Sequence, residues 1–187
     1  MPLTTLDAKT ALVVIDLQQG IVALPTAHPT SDVVKRSATL LDAFRSRGLP
    51  VVLVNVAGGA PGRAEQARPA GNFPAEFTVL VPELKQQPSD HLVTKHTWGA
   101  FTNTDLEAHL RKEGVTQIVL VGVATSIGIE STARFANELG FNVTLVIDAM
   151  TDMHADAHHN SVTRIFPRLG ETGTTQDVLD LLARSHA

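Results

Sequence analysis

The chain has 187 residues, of which 43% are apolar and 18% are charged, and its formal net charge is −4. This balance is typical of a globular protein, and we expect a single domain over residues 1–187. The small, evenly spread charge excludes the basic surface of a nucleic-acid-binding protein, and no segment approaches the roughly 20 apolar residues of a membrane span. The N-terminus lacks a signal-peptide pattern, so we expect a cytoplasmic protein. The sequence has no cysteine, which excludes disulfides, thiolate metal sites and cysteine nucleophiles.

The first part of the chain predicts two buried strands with a helix between them. Ala11–Ile15 and Val51–Val56 are short runs rich in β-branched residues, as in the strands of a parallel sheet. Between them, Ser31 as N-cap predicts the start of a helix that runs to Arg47. Asp16 follows the first strand, where its carboxylate either caps the next turn or faces a ligand at the edge of the sheet.

Residues Ala57–Pro74 form the longest stretch without periodicity and are rich in glycine, proline and arginine. Loops of this length in compact domains are often lids or binding loops. Arg63 and Arg68 either clamp an anionic substrate or keep a solvated loop soluble. The sequence leaves open whether this loop closes over a ligand.

A third strand is predicted at His91–Thr94, ending at Lys95. The ammonium group of Lys95 either lies over the site as a fixed cation or lies at the surface. Trp98 and Phe101 stand out in a chain with 4% aromatic residues, and they either line an apolar pocket or fill the edge of the core. A capping box at Thr104 then predicts a helix that ends near Gly114.

The stretch from Gln117 to Gly140 predicts a strand, a tight turn and a helix. Ile118–Val123 is the buried strand, and the turn through Ala124–Ser126 leads into a helix that Gly140 ends. This arrangement points backbone N–H groups and the positive end of a helix dipole at the carboxyl edge of the sheet. Ligands bind at that edge in open parallel sheets. We therefore expect the chemistry here.

The last part of the chain predicts a fifth strand at Val143–Ile147, ending at Asp148, and a final helix at Thr174–Arg184. Three histidines indicate either a metal site or a polar helix surface: His154, His158 and His159. We favour the polar surface, because no matching set of carboxylates and histidines follows the other strands. Strands that alternate with helices in this way predict a three-layer α/β/α domain with a parallel, Rossmann-like sheet.

Three segments stand out together: VVIDLQQGIV around Asp16, VTKHTWGAFTNTDLEAHLR around Lys95, and GVATSIGIESTARFANELGFNVTLVIDAMTD around Gly128. In this order they resemble the isochorismatase-like hydrolase family. The resemblance implies a six-stranded parallel sheet flanked by helices and a non-proline cis peptide bond between Val123 and Ala124. Members of the family are commonly dimers or larger, which implies a homodimer or a higher homo-oligomer.

Most members of the family are cysteine hydrolases that cleave amides or related carbonyl–nitrogen bonds. Carried over by motif, Asp16 and Lys95 are the family's catalytic Asp and Lys, and the position of the nucleophile falls on Gly128. Glycine offers no nucleophile, so covalent thiol catalysis is excluded. Neither Thr125 nor Ser126 has a histidine base beside it in the motif, so neither hydroxyl is favoured as a replacement.

Isochorismatases proper also have glycine at this position and hydrolyse a vinyl ether. If this chain is similar, Asp16 is a general acid whose pKa is raised by burial, and Lys95 holds a substrate carboxylate or positions Asp16. The N–H groups of Gly128 and Ile129 then bind an oxygen at the helix N-terminus. The further residues expected to bind substrate are Gln18, Trp98, Phe101, Ala124, Thr125, Ile127 and Ile129.

Two departures from the family narrow the prediction. Asn55-Val56-Ala57 stands where metal-binding nicotinamidases carry Asp-x-His, so we expect neither a metal nor a cofactor. The residues around Gly128 resemble the cysteine members more than the isochorismatases proper. We therefore predict a cysteine-independent hydrolase of a small, anionic molecule and keep two alternatives: a non-catalytic small-molecule binding protein, and an amide hydrolase that uses water activated by Asp16.

Overall fold

The computed structural model describes residues 3–66 and 71–184, which form a six-stranded sheet with helices on both faces. The strands are β1 (Thr10–Ile15), β2 (Val51–Val56), β3 (His91–Lys95), β4 (Gln117–Val123), β5 (Asn142–Thr151) and β6 (Glu171–Gly173). The α-helices are α1 (Gln19–Val22), α2 (Thr30–Arg45), α3 (Ala75–Thr78), α4 (Leu106–Lys112), α5 (Glu130–Glu138), α6 (Ala155–Asn160), α7 (Phe166–Leu169) and α8 (Thr175–Arg184). A 3₁₀ turn covers Pro82–Leu84, and π-helical turns cover Thr125–Ile129 and Ser161–Ile165.

The strand order is β3-β2-β1-β4-β5-β6, and neighbouring strands pair in parallel throughout. The chain moves outward in one direction from β1 to β3 and in the other direction from β4 to β6. Where two such halves meet, here between β1 and β4, an open α/β sheet forms a crevice at the carboxyl ends of its strands. Asp16 follows β1 and the turn Thr125–Ile129 follows β4, so both lie at this crevice.

The sheet separates two apolar cores. Ala11, Val13 and Ile15 of β1 pack under α4, α5 and α7, while Leu12 and Val14 pack under α2 and α8. Because both faces of the sheet are buried, its strands are continuous apolar runs rather than alternating ones. No helix within residues 3–66 and 71–184 is both long and apolar enough to cross a membrane.

The predicted fold is confirmed: a three-layer α/β structure with a six-stranded parallel sheet. The first four strands begin and end within one residue of their predicted bounds. The cis peptide bond between Val123 and Ala124 is present. Gly140 follows α5 with a φ of 82°, a left-handed conformation that glycine adopts without a steric penalty, so it ends the helix as predicted.

The fifth strand is longer than predicted. We expected a strand at Val143–Ile147 that ends at Asp148, whereas β5 continues to Thr151 through an irregularity in its register against β4. The carboxylate of Asp148 accepts hydrogen bonds from the N–H and the hydroxyl of Thr175, at 2.7 and 2.9 Å. The predicted end was wrong because Asp148 lies within the strand, where its carboxylate is held by the first turn of α8 and by Arg36, whose Nε lies 3.3 Å from Oδ2.

Helix α2 also differs from its prediction at both ends. Its N-cap residue is Pro29 rather than Ser31, and its last residue is Arg45 rather than Arg47. Proline has a fixed φ that suits the start of a helix, and the hydroxyl of Thr30 donates to the carbonyl of Val22 at 3.0 Å. The contact with the preceding segment, rather than a serine cap, therefore determines where the helix begins.

Candidate active site

Asp16 lies directly after β1, at the carboxyl edge of the sheet. Its φ of 54° is in the left-handed region that residues other than glycine rarely adopt. Its N–H donates to the carbonyl of Val54 at 2.9 Å, and its side chain has an exposed fraction of 7%. The backbone is therefore attached to β2, while the carboxyl group is buried beside the crevice.

Lys95 ends β3, which is separated from β1 by β2. Neighbouring strands lie about 4.8 Å apart, so the long side chain of Lys95 crosses the end of β2 to reach Asp16. Its Nζ donates to Oδ2 of Asp16 at 2.7 Å and to the carbonyl of Thr97 at 3.1 Å. The Lys95 side chain is 2% exposed, so salt screens this ion pair much less than a surface pair.

The carboxyl group of Asp16 is poised between its two protonation states. Burial raises the pKa of Asp16 to about 6, because the carboxylate loses its hydration, and the charge and hydrogen bond of Lys95 lower it by less. The second carboxyl oxygen, Oδ1, is buried and has no hydrogen-bond partner in the described part of the chain. A carboxyl group with this pKa exchanges its proton near neutral pH, as a general acid or base must.

Gly128 lies buried in the π-helical turn that follows β4. A Cβ atom at this position would lie 3.4 Å from Oδ2 of Asp16 and 3.0 Å from Cγ2 of Ile15. A side chain here would be in tight contact with Ile15 and Asp16, so glycine lets this wall of the cavity lie directly beside the carboxyl group. In a cysteine member of the family, this is the place where the thiol would stand.

The turn around Gly128 is held by residues that follow β5. Ser126 donates both its N–H and its hydroxyl to Oδ2 of Asp152, at 2.7 and 2.8 Å. Thr125 Oγ1 shares a hydrogen bond of 2.8 Å with Nδ1 of His158. Burial, followed by the neighbouring His28, lowers the pKa of His158. The turn is thus attached to the end of β5 and to α6.

A cavity of about 190 Å³ opens above these residues. Its lining residues are Asp16, Ile21, Leu24, Val56, Gly58, Gly59, Phe73, Lys95, Thr97, Trp98, Val123, Ala124, Ile127, Gly128 and Met153. The predicted site residues among them are Asp16, Lys95, Trp98, Ala124, Ile127 and Gly128. The structure therefore brings together residues from β1, β3 and the turn after β4.

Gln18 and Phe101, which we expected to bind substrate, lie outside this lining. The Gln18 side chain is fully buried, and its amide bonds to the N–H and carbonyl of Val56 and to the carbonyl of Phe77. Gln18 therefore joins the ends of β1 and β2 to α3. Phe101 packs in the core under α4 and α5, which is the second of the two interpretations offered for it.

Thr125 and Ile129 also lie outside the lining. Thr125 is fully buried and bonded to His158. The Ile129 side chain is in the core, and its N–H donates to the carbonyl of Ala124 at 3.1 Å. The expectation that the Ile129 N–H binds a substrate oxygen is therefore corrected, because the π-helical turn uses this group internally.

Several lining residues were not named from the sequence. Ile21 lies in the short helix α1, Leu24 follows that helix, and Met153 lies just after β5. The rule that sites form at the carboxyl ends of strands points to Met153 once β5 is extended to Thr151. Ile21 and Leu24 have no such signal, because the sequence between β1 and α2 is irregular.

The loop Ala57–Pro74 contributes part of the cavity wall through Gly58, Gly59 and Phe73. The N–H of Phe73 donates to the carbonyl of Ala57 at 2.8 Å, which closes the base of the loop. Arg63 is exposed, and Arg68 lies outside the described residues. A clamp by these arginines and a closing motion of the loop both remain predictions.

The three histidines are held in different surroundings. His154 precedes α6, His158 bonds to Thr125, and His159 is exposed. Over residues 3–66 and 71–184, no group of three His, Cys, Asp or Glu side chains could hold a metal ion. Asn55, at the position of the nicotinamidase Asp, donates to the carbonyl of Thr78 at 2.9 Å.

Comparison with known proteins gives a consistent result. The model of the isochorismatase domain matches residues 10–177 of this chain. An uncharacterised isochorismatase family protein of Escherichia coli O157:H7, YecD, is 43% identical over 95% of this chain and 98% of the relative. A solved isochorismatase family protein from Burkholderia thailandensis is 44% identical and superimposes with a TM-score of 0.92, over 96% of this chain and 98% of that chain.

More distant relatives carry a named activity. The ureidoacrylate amidohydrolase RutB of Agrobacterium fabrum is 28% identical over 98% of this chain and 94% of the relative.

Proposed function

This chain belongs to the isochorismatase family, and we propose that it is a hydrolase that works without a cysteine nucleophile, with Asp16 as its general acid. We propose a vinyl ether of a small, anionic molecule as its substrate. One observation carries the proposal: the buried carboxyl group of Asp16, with its raised pKa and unpartnered oxygen, lines the cavity beside Gly128, where no side chain stands between it and a ligand.

In the proposed reaction, Asp16 transfers its proton to the terminal carbon of the substrate's C=C bond. The π electrons form the new C–H bond and leave an oxocarbenium ion. Water attacks this ion and returns a proton to Asp16, and the resulting hemiketal breaks into an alcohol and a ketone. For an enolpyruvyl ether the ketone is pyruvate. No bond to the protein forms, so glycine at position 128 is compatible with every step.

Lys95 acts on both protonation states of Asp16. In the free enzyme it holds the carboxylate through the 2.7 Å hydrogen bond. When Asp16 is protonated, the charge of Lys95 attracts a carboxylate of the substrate instead. A substrate carboxylate near Asp16 in turn favours the protonated acid, because a like charge disfavours ionisation. Binding of an anionic substrate therefore prepares the acid that the reaction needs.

A second candidate is amide hydrolysis by water, with Asp16 as general base. The relationship to the amidohydrolase RutB supports it, and a carboxylate with a pKa of about 6 is ionised at pH 7. The two candidates differ in the sign of their pH dependence. For the acid, kcat/KM falls as pH rises above about 6; for the base, it rises up to about 6 and is then level.

The test is a pyruvate-release assay with 2-methoxyacrylate as the minimal vinyl ether, and with isochorismate for comparison, run across pH. Asp16→Asn should lower kcat/KM by about 10² to 10⁴, whereas Asp42→Asn, on the exposed face of α2, should leave it unchanged. In D₂O, each pyruvate formed should carry one deuterium from the proton transfer to carbon. Amide turnover without vinyl-ether turnover would establish the second candidate, and ligand-induced thermal stabilisation without any turnover would establish a binding protein.

A further inference from the structure

The outer wall of the active-site cavity is apolar. Its mouth includes Leu24 and Trp98, which have exposed fractions of 39% and 53%. The wall continues inward through Ile21, Phe73, Ile127 and Met153. Exposed apolar side chains that are contiguous with a pocket indicate a ligand surface rather than scattered surface residues.

Charge is confined to the inner end of the cavity. Among its lining residues that the structure describes, Asp16 and Lys95 carry the charges, and they are 5% and 2% exposed. They are hydrogen-bonded to each other at 2.7 Å. A charged group on the outer part of a ligand would exchange water mainly for apolar side chains and would meet no opposite charge among the described lining residues, which is unfavourable.

The volume of the cavity limits the size of the group that it encloses. A cavity of roughly 150 Å³ holds benzene, and this one measures about 190 Å³. The enclosed part of a ligand, counted from the end at Asp16 and Lys95, therefore has about six to eight non-hydrogen atoms, and a larger body extends to the mouth beside Leu24 and Trp98.

We infer that the substrate has two unlike ends: a reactive end with at most one negative charge, placed at Asp16 and Lys95, and a compact, uncharged apolar body that fills the outer cavity. The reactive end rests on the proposed function, whereas the apolar body rests on the cavity wall alone. A substrate whose body carries a second carboxylate, as isochorismate does, is a poor fit to this wall.

Binding can be measured without turnover by using 2-alkoxypropanoates, saturated ethers that lack the C=C bond. By titration calorimetry, each methylene added to the alkyl group should lower Kd about fourfold until the cavity is filled. The 4-carboxybenzyl ether should bind at least about tenfold more weakly than the benzyl ether. Equal or tighter binding of the carboxybenzyl ether, or no binding by any member at millimolar concentration, overturns the inference.

The matching 2-alkoxyacrylates separate this inference from the proposed reaction. Their hydrolysis releases pyruvate and the alcohol, and kcat/KM should follow the same apolar preference. If the saturated ethers show the preference and no acrylate is hydrolysed, the vinyl-ether reaction is wrong and the inference stands. If the acrylates are hydrolysed at rates that do not depend on the alkyl group, the reaction stands and the inference is wrong.

A pair of variants tests the wall directly. Leu24→Lys places a cation at the mouth of the cavity and should improve binding of the 4-carboxybenzyl ether about tenfold. Leu92→Lys changes a leucine of similar exposure, 45%, that lies on β3 outside the lining. It should change neither the Kd of the benzyl ether nor that of the 4-carboxybenzyl ether. An equal effect of the two variants would show that the net charge of the protein, rather than the wall, controls binding. If Arg68→Ala weakens binding of the 4-carboxybenzyl ether but not of the benzyl ether, the loop recognises a charged body and the inference fails.

Discussion

Because Gly128 has no side chain, a substrate can approach the carboxyl group of Asp16 closely. A methyl group at this position would lie 3.4 Å from Oδ2 of Asp16 and 3.0 Å from Cγ2 of Ile15, so these neighbours would have to shift by a few tenths of an ångström. Activity should therefore be sensitive to substitution of Gly128, while the fold can adjust to a methyl group there.

We predict that Gly128→Ala lowers kcat/KM for the vinyl ether by at least about tenfold, because its methyl group occupies the space beside the acid. The loss of stability should be about 1 to 3 kcal/mol, as for other overpacked sites. Steady-state kinetics and urea denaturation measure the two effects. The control is Gly99→Ala, whose Cβ would meet Ser131 at a similar 3.4 Å but outside the cavity lining. An equal loss of activity in both variants would contradict the prediction.

The sequence identified individual site residues where a strand end and a motif coincide, as at Asp16 and Lys95. It did not distinguish Gln18, two residues further on, whose amide is fully used by backbone groups of Val56 and Phe77. A motif records that a residue type occurs at a position. It does not record whether the polar atoms of that residue face a ligand or the backbone of a distant strand.

At the scale of elements, the extension of β5 is what completes the site. It carries the chain on to Asp152, which holds Ser126, and to α6, whose His158 holds Thr125. These contacts join residues 26 and 33 positions apart. Strands buried on both faces were predictable from their apolar runs, whereas a π-helical turn held by such distant partners leaves no periodicity in its own sequence.

The Thr125–His158 contact predicts a pH effect at the level of this turn. Burial lowers the pKa of His158 below its ordinary 6.5, with His28 and His159 adding to the shift and Asp152 opposing it. The unfolded chain therefore takes up the proton at a higher pH than the folded one, and stability is lost as pH falls below about 6.5. His158→Gln, which cannot be protonated, should remove this loss.

The measurement is urea denaturation of the wild type and His158→Gln near pH 7 and near pH 5.5. His154→Gln is the matched control, because His154 is exposed, directly precedes α6 and is not among the groups that shift the pKa of His158. If the wild type and His158→Gln respond equally to the lower pH, the folded-state pKa of His158 is not depressed.

For the whole molecule, Asp16 gives stability a pH dependence of the opposite sign. Its pKa is about 6 in the folded protein against an ordinary value of 3.8, so its contribution is fully present below about pH 4 and is lost as pH rises through about 6. The shift corresponds to roughly 3 kcal/mol. Asp16→Asn should remove this decline, although it also leaves the buried Lys95 without its partner and therefore lowers stability at every pH.

Urea denaturation between about pH 4 and pH 8 tests this prediction, with Asp42→Asn as a control that should follow the wild type. A decline of the same size in Asp16→Asn would mean that other groups cause it. The prediction joins stability to function, since the same desolvation that weakens the fold above pH 6 keeps the acid protonated enough to react.

We also predict that the protein is a homodimer or a higher homo-oligomer. Val79 and Phe135 have exposed fractions of 54% and 43%, and apolar side chains on the surface are covered when copies associate. Light scattering after size-exclusion chromatography measures the mass of the particle directly. A mass of 20.0 kDa, that of one chain, at micromolar concentration would contradict the prediction.

Gly128 has a further consequence for the surroundings in which such an enzyme works. Peroxides and alkylating reagents attack thiolates first, and this chain has no cysteine. Oxidants that inactivate cysteine-dependent relatives would leave Asp16 and Lys95 unchanged. In the cavity wall, the thioether of Met153 can still become a sulfoxide, so oxidative damage would alter the fit of the substrate while sparing the acid.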